Sequence, residues 1–177
     1  KLIFDNYVRN KLYKGTNNKV IGFRFFNVYG MGEFYKDRNA SIPYRFYDFI
    51  ENKGFIDLFE NAKDIKRDYI YVEDLCKILF ESYIVKSISN GIYNLGSGCA
   101  ISHYEVASIV IKEFINSGLL DGCVNQYIKY IDFPKELSES FQFFTKSVNE
   151  NWINNMNIVS PNIGINKYIK ALIQIRK

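Results

Sequence analysis

The apolar positions along the chain switch between a helical period and short continuous runs. In the first thirteen residues the apolar side chains recur near every third or fourth position, which predicts a helix over 1–13. A turn over 15–18 leads into a nearly unbroken apolar run over 20–26. Such a run is typical of a strand buried on both faces, as in a parallel sheet. The first predicted elements are therefore a helix and a buried strand.

The rest of the chain continues this alternation. Ser41 can cap a helix over 41–51, and Pro43 is tolerated in its first turn. Ser102 followed by Glu105 is a capping box, which starts a helix that extends through 115. Alternating strands and helices predict the α/β class. The other predicted elements are strands over 55–59, 69–71, 92–95 and 127–133, helices over 73–85, 145–152 and 163–175, and polar loops over 27–39 and 61–68.

Charge and length narrow the class of protein. The 177 residues carry a net charge of +4, with basic and acidic residues interspersed. Binding to nucleic acid would need a concentrated basic stripe, and a membrane span would need about 18 consecutive apolar residues. The sequence has neither. We therefore expect one globular, cytoplasmic unit that binds neither nucleic acid nor membranes.

The cysteines and the histidine form no metal-binding or triad pattern. Cys76, Cys99 and Cys123 are widely spaced and include no CxxC pair. They are expected to be buried or semi-buried reduced thiols of a cytosolic protein. His103 is the only histidine and lies near a predicted helix start, so a surface or capping role is expected. We predict no metal site.

Polar residues stand at or near the ends of predicted strands, where ligands bind in open α/β sheets. The amide of Asn27 can hydrogen-bond a hydroxyl-bearing ligand, or Asn27 can be a plain turn residue. Lys36, in the loop that follows, is either a general base in a closed site or a solvated lysine. Arg67 precedes the strand over 69–71. Its planar fork suits a diphosphate, and a surface charge cluster is the alternative.

Two segments resemble the extended short-chain dehydrogenases/reductases that act as nucleotide-sugar epimerases and dehydratases. They are FNVYG at 26–30 and RDYIYVEDL at 67–75. The run over 59–67, the loop that holds Lys36 and the FQFFT segment at 141–145 are similar to those of the ADP-L-glycero-D-manno-heptose 6-epimerases. The resemblance implies the C-terminal part of an extended short-chain dehydrogenase Rossmann fold with a smaller α/β substrate-binding domain.

The resemblance also implies a division of the chain. Residues 1–30 and 69–95 would belong to the Rossmann sheet, and residues 31–68 and 96–177 to the substrate-binding region. The N-terminal dinucleotide-binding half, with its glycine-rich turn and its catalytic tyrosine, is expected to lie outside these 177 residues. The 177 residues by themselves are therefore expected to be inactive.

The same resemblance implies roles for individual residues. Lys1 matches the lysine of a YxxxK dyad, which is catalytic and binds the cofactor ribose. Val28 matches a cofactor contact, and Lys36 matches the second acid/base group, also at the cofactor. Four of the implied substrate contacts, Arg38, Arg45, Ala62 and Phe141, differ from the residues usual in the heptose epimerases, which bears on the exact sugar and nucleotide. The positions that match substrate contacts are Asn27, Arg38, Arg45, Phe59, Glu60, Asn61, Ala62, Arg67 and Phe141.

The implied reaction inverts C6 of ADP-D-glycero-β-D-manno-heptose for the lipopolysaccharide core. NADP, or else NAD, would take a hydride from C6 and return it to the opposite face. Enzymes of this kind are homo-oligomers, with pentamers known, and bind a nucleotide sugar. Two alternatives stay open: another extended short-chain epimerase or dehydratase of nucleotide sugars, or a non-catalytic gene remnant.

Overall fold

A computed structural model describes residues 2–15, 18–85, 87–137, 139 and 141–176. Strands and helices alternate along it, so the prediction of an α/β fold is confirmed. The helices are α1 (Leu2–Tyr13), α2 (Ile42–Lys53), α3 (Val72–Ile84), α4 (His103–Asn116), α5 (Asn151–Asn154) and α6 (Pro161–Ile175). The strands are β1 (Ile21–Phe25), β2 (Asn27–Tyr29), β3 (Ile56–Phe59), β4 (Lys66–Tyr71), β5 (Gly91–Leu95), β6 (Ala100–Ser102) and β7 (Ile128–Ile131).

Three small sheets organise the described strands. β1 pairs with β5, and β3 pairs with β7, both in parallel. The third sheet has the order β2-β4-β6, with β2 parallel and β6 antiparallel to β4. β2 follows β1 after one residue. The register places Asn27 opposite Tyr69, and Arg67 opposite Ile101. The central strand β4 therefore carries Arg67 and lies beside Asn27, so the two predicted ligand-binding residues belong to one sheet.

Two apolar cores lie on either side of β4. The larger core packs α2, α4 and α6 around Tyr69 and Tyr71. The smaller core contains Ile70, which is fully buried, together with Leu75 and Leu95. Successive residues of a strand point to opposite faces, so Tyr69 and Ile70 enter different cores. Because both faces of β4 are packed from Asp68 onward, the backbone that carries Arg67 is held in place.

Local signals set the helix boundaries as predicted. Ser41 accepts a hydrogen bond from the amide of Tyr44 and caps α2, which ends at Gly54 in the left-handed conformation (φ 77°). Ser102 and Glu105 form the predicted capping box of α4. The bounds differ from the predicted ones by only one or two residues for α2, α3, α4 and α6.

The predicted helix over 145–152 is wrong. Only Asn151–Asn154 are helical, and the preceding segment is extended against β4. The amide of Lys66 donates to the carbonyl of Phe143 at 2.8 Å, and the amide of Thr145 donates to the carbonyl of Lys66 at 3.1 Å. The backbone groups of this segment are therefore satisfied by tertiary hydrogen bonds rather than by a helix.

The two predicted polar loops are shorter than expected, because strands take over the start of one and the end of the other. Asn27 belongs to β2 and Lys66 starts β4, although loops were predicted over 27–39 and 61–68. Strand β6 (Ala100–Ser102) was not predicted, and it supplies the antiparallel partner that makes Lys66 and Arg67 part of a strand. These polar residues therefore sit on regular structure.

Three burial predictions are wrong. β1 is not buried on both faces, because Arg24 and Phe25 are exposed, Phe25 by 49%. The three cysteines named above are all exposed free thiols. His103 is buried, and Ser102 performs the capping that had been considered for it. Among the described residues, no helix has both the length and the apolarity that crossing a bilayer requires.

Candidate active site

Asn27 and Lys36 lie on the strand β2 and on the loop that follows it. The side-chain amide of Asn27 donates to the backbone carbonyl of Asp68 at 2.8 Å, which fixes its orientation against β4. Val28 is half-buried and pairs with Ile70. With its nitrogen committed, Asn27 can present its side-chain oxygen to a hydroxyl group.

Lys36 is anchored by a buried carboxylate. Its Nζ lies 3.6 Å from Oε1 of Glu33, which is only 4% exposed. Glu33 accepts hydrogen bonds from the amide and the hydroxyl of Ser41, at 3.1 and 2.6 Å, and from the hydroxyl of Tyr168 at 3.3 Å. The ammonium is thus tied to the start of α2 and to α6. Lys36 is exposed, with 43% of its side chain accessible to solvent, and it is oriented by Glu33.

Arg67 is a half-buried cation without a carboxylate partner among the described residues. Its Nη1 donates to the carbonyl of Lys66 at 3.3 Å, and its Cζ lies 5.2 Å from the ring centre of Phe141. Burial lowers the pKa of the guanidinium. Since a guanidinium has five N–H donors, most of those of Arg67 remain available for an anion. Such an arrangement suits a phosphate or diphosphate group.

Four phenylalanines form an aromatic cluster next to this arginine. Phe133 lies at its centre, with ring-centre distances of 5.1 Å to Phe59, 5.1 Å to Phe141 and 5.5 Å to Phe143. Each of the four side chains is partly exposed. Flat aromatic faces beside a cation are suited to a heterocyclic base that is attached to phosphates.

Arg45 and His103 lie in the same region as Arg67, since both arginines act on the imidazole. Arg45 is on α2, with its Cζ 5.9 Å from the ring centre of Phe49 and no ion-pair partner in the described part of the chain. Burial, followed by the positive charges of Arg67 and Arg45, lowers the pKa of His103 to about 4. The two guanidinium groups therefore act on the same imidazole, which is neutral at pH 7.

Asp68 ties the site to the surrounding loops. Its carboxylate is fully buried and accepts hydrogen bonds from the amides of Ser97, Gly98 and Ser147 at 2.7, 3.0 and 2.8 Å, and from the Ser97 hydroxyl at 2.7 Å. No local pattern in the sequence singles out Asp68 as a site residue. Its burial depends on the packing of β4 against the distant segments that contain Ser97 and Ser147.

The remaining predicted residues are distributed around the site. Glu60 and Asn61 occupy the turn after β3, and Oδ1 of Asn61 is buried without a described donor. Ala62 is packed in the larger core. Arg38 is exposed in a short 3-10 turn. Lys1 lies outside the described residues. The structure thus brings together Arg67, Phe59 and Phe141 as predicted substrate contacts, while the roles of all these residues stay predictions.

Five residues of this region were missed as site residues: Glu33, Asp68, His103, Phe133 and Phe143. Phe143 had a usable signal, because it follows Phe141 by two residues, as expected for neighbours on one face of an extended segment. Phe133, Asp68 and His103 have partners that are distant in the sequence. Glu33 bonds with Ser41 nearby and with Tyr168 far along the chain. Within the described residues, no cluster of ligating side chains could hold a metal ion.

Comparisons with known proteins agree with this geometry. The sequence model of the NAD dependent epimerase/dehydratase family matches residues 1–96. The structure is similar to the ADP-L-glycero-D-manno-heptose-6-epimerase of Helicobacter pylori, with a TM-score of 0.72 and 26% identity over 99% of this chain and 49% of that one.

Two further solved structures, both less than 25% identical, share the fold. One is a UDP-N-acetylglucosamine 4-epimerase from Methanobrevibacter ruminantium, with a TM-score of 0.71 and 17% identity over 97% of this chain and 51% of that one. The other is a dTDP-glucose 4,6-dehydratase from Bacillus anthracis, with a TM-score of 0.65 and 15% identity over 96% and 49%. The chain thus spans about half the length of the solved structures it matches.

Proposed function

This chain belongs to the NAD dependent epimerase/dehydratase family, and on that basis we propose that it provides the substrate side of an ADP-glycero-manno-heptose 6-epimerase. The observation that carries the proposal is Arg67, a half-buried cation without a described counter-ion, beside four partly exposed phenylalanines. A nucleotide sugar has the matching chemistry, because a flat base, a charged diphosphate and a hydroxyl-rich sugar follow one another.

The proposed substrate lies across β4. Its diphosphate binds Arg67, with Arg45 as the second cation, and its base packs on the aromatic cluster of Phe59, Phe133, Phe141 and Phe143. Its sugar extends toward Asn27, which offers a side-chain oxygen. Support for the heptose comes from the 26% identity with the Helicobacter pylori enzyme.

The described residues suit only one end of a nicotinamide dinucleotide. Val28 lies beside Asn27 on β2, and Lys36 is on the loop that follows, so these residues would face the nicotinamide. The sequence contains no G-x-G-x-x-G turn for the phosphates. When bound, NADP, or alternatively NAD, would accept a hydride from the sugar carbon and return it.

The proton chemistry falls to Lys36. Its Nζ can hold or release a proton at the sugar hydroxyl whose carbon is oxidised and reduced again. Glu33, which is held by Ser41 and Tyr168, pairs with this ammonium at 3.6 Å. An inversion needs an acid/base group on each face of the sugar, so a second group must act opposite Lys36.

An exposed apolar surface supports a larger assembly. Leu2, Ile3, Phe4 and Tyr7 of α1 are each between 59% and 87% exposed. A cleft of about 630 Å³ lies between α1 and β1, and the outer edge of β1 pairs with no described strand. Exposed patches of this kind mark interfaces. The proposed cover is the dinucleotide-binding part of the enzyme, with 1–30 and 69–95 as its sheet neighbours.

Thermal unfolding in the presence of nucleotide sugars tests the substrate. ADP-glycero-manno-heptose should raise the melting temperature of the chain more than UDP-N-acetylglucosamine or dTDP-glucose does, and Arg67→Met should abolish the rise. Arg9→Met, on the exposed side of α1, is the matched control and should leave it unchanged. A larger rise with a UDP- or dTDP-sugar would identify another epimerase or dehydratase of this family. The absence of any rise would contradict the proposed site.

A further inference from the structure

We propose that His103 is a third, conditional cation of the diphosphate subsite: it is neutral in the free protein and takes up a proton when an anion binds between Arg45 and Arg67. The inference rests on the proposed function, because it takes the diphosphate of a nucleotide sugar as the anion. It gives a ligand-binding role to a residue for which the sequence predicted a surface or capping role. It also makes substrate binding dependent on pH.

The backbone places His103 at the junction of three elements. Its amide donates to the carbonyl of Ile65 at 2.9 Å, directly before β4. Its ring meets Phe46 of α2 edge-on, with ring centres 6.5 Å apart. Arg67 lies two residues beyond Ile65, and Arg45 directly precedes Phe46. The imidazole is therefore held by packing and by the backbone, next to the strand and the helix that carry the two arginines.

The charged groups that act on the imidazole are both positive. Of the titratable groups on the packed elements, Arg67 on β4 and Arg45 on α2 act on it, both in the direction that disfavours a proton. Glu105, on its own helix, is committed to the amide and hydroxyl of Ser102. The ammonium of Lys63, on the loop before β4, lies over the ring of Tyr104 at 5.0 Å.

On α6, which packs against β6 directly before His103, the hydroxyl of Tyr168 donates to Glu33. Tyr69 of β4 is buried, and its hydroxyl has no partner in the described part of the chain. None of these groups supplies a carboxylate to the imidazole. The free protein therefore holds two cations and a neutral histidine, without a described anion among them.

A bound diphosphate reverses this balance. Its negative charges would offset the two guanidinium groups and would favour the imidazolium, which gains an anionic neighbour. By linkage, a group that gains a proton on binding makes binding stronger as the pH falls. The affinity for a diphosphate should therefore rise between pH 7 and pH 5 by more than the titration of the ligand itself explains.

Because His103 is the only histidine, the two carbon-bound protons of its ring give signals that no other histidine can overlap, and their pH midpoint can be followed directly. In the free 177-residue protein the midpoint should lie near pH 4. Inorganic pyrophosphate should raise it by about one pH unit or more, whereas adenosine should not. Arg67→Gln or Arg45→Gln should raise the midpoint of the free protein. Arg24→Gln, whose arginine pairs with Asp5, is the control and should leave it unchanged.

Affinity provides a second readout. Between pH 7 and pH 5, a midpoint raised by one pH unit from about 4 should give pyrophosphate about twofold more affinity for the wild-type protein than for His103→Phe, which keeps an aromatic ring against Phe46. An unchanged midpoint while the amide signal of Arg67 shifts would overturn the inference and leave the diphosphate site in place. If neither signal responds to pyrophosphate, both the inference and the proposed site are wrong.

Discussion

Asp68→Asn tests whether one buried carboxylate holds three segments of the site together. Each carboxylate oxygen accepts two hydrogen bonds: Oδ1 from the amide and hydroxyl of Ser97, and Oδ2 from the amides of Gly98 and Ser147. An asparagine keeps one acceptor oxygen and replaces the other with an NH₂ group. That NH₂ group would face donors instead of accepting from them.

The magnitude follows from the bonds lost. Two hydrogen bonds to a charged acceptor are removed, at about 1.5–3 kcal/mol each, and the site has no access to water because Asp68 is fully buried. Asp68→Asn should therefore lower the free energy of unfolding by about 4 kcal/mol. This is a large share of the total stability of a domain, about 5–15 kcal/mol. The substitution should also loosen Asn27, which is held by the carbonyl of Asp68.

Urea unfolding followed by tryptophan fluorescence measures this change. Trp152 is the only tryptophan and packs against the smaller core, so its emission reports the unfolding of the fold. The matched control is Asp57→Asn, which removes a partly exposed ion pair with Lys53 and should change the free energy by about 0.5 kcal/mol. A loss of less than about 1 kcal/mol for Asp68→Asn would refute the reasoning, since unpaired buried donors cost at least that much.

Three further predictions concern packing, pH and thiol access. A methyl group at Gly164 would collide with the hydroxyl of Tyr29, so Gly164→Ala should lower the free energy of unfolding by about 1–3 kcal/mol. Adding Tyr29→Phe should restore most of that loss, and the absence of any rescue would mean that the clash lies elsewhere. His103 has a pKa of about 4 in the folded protein and an ordinary value of 6.5, so the unfolded chain binds its proton first as the pH falls. Stability should be complete above about pH 6.5 and should fall by about 2 kcal/mol by pH 5, a loss that His103→Phe should lack in urea unfolding at both pH values. The three exposed cysteines should all react with a thiol reagent in the native protein, whereas a requirement for denaturant would contradict their exposure.

Local signals in the sequence predicted most of the fold. Ser41 and the Ser102–Glu105 pair marked helix starts because a cap acts through residues only three positions away. The predicted helix over 73–85 matches α3 to within one residue at each end, and its Leu75 and Ile78 enter the core. The resemblance led to the correct family, and it singled out Arg67 and Phe141, which the structure brings together.

The errors occur where distant segments decide the structure. The segment before Asn151 is extended because its backbone pairs with Lys66, a partner that no local pattern reveals. The position of His103 at a helix start suggested the surface. Its burial depends instead on the packing of α2 against α4, which the local sequence does not reveal. Strand β6 is only three residues long, which is too short for an alternation to be recognised. Residues fixed by such long-range contacts include the site residues that were missed.

The most direct test of the account is an NMR titration of the ¹⁵N-labelled 177-residue protein with ADP. We predict that the amide signals of Arg67, Phe59 and Phe141 shift together and saturably. Those of Glu81 and Trp152, which line a separate cleft, should not shift. Shifts confined to that cleft, or no shifts at all, would contradict the claim that the arginine and the aromatic cluster bind the nucleotide diphosphate.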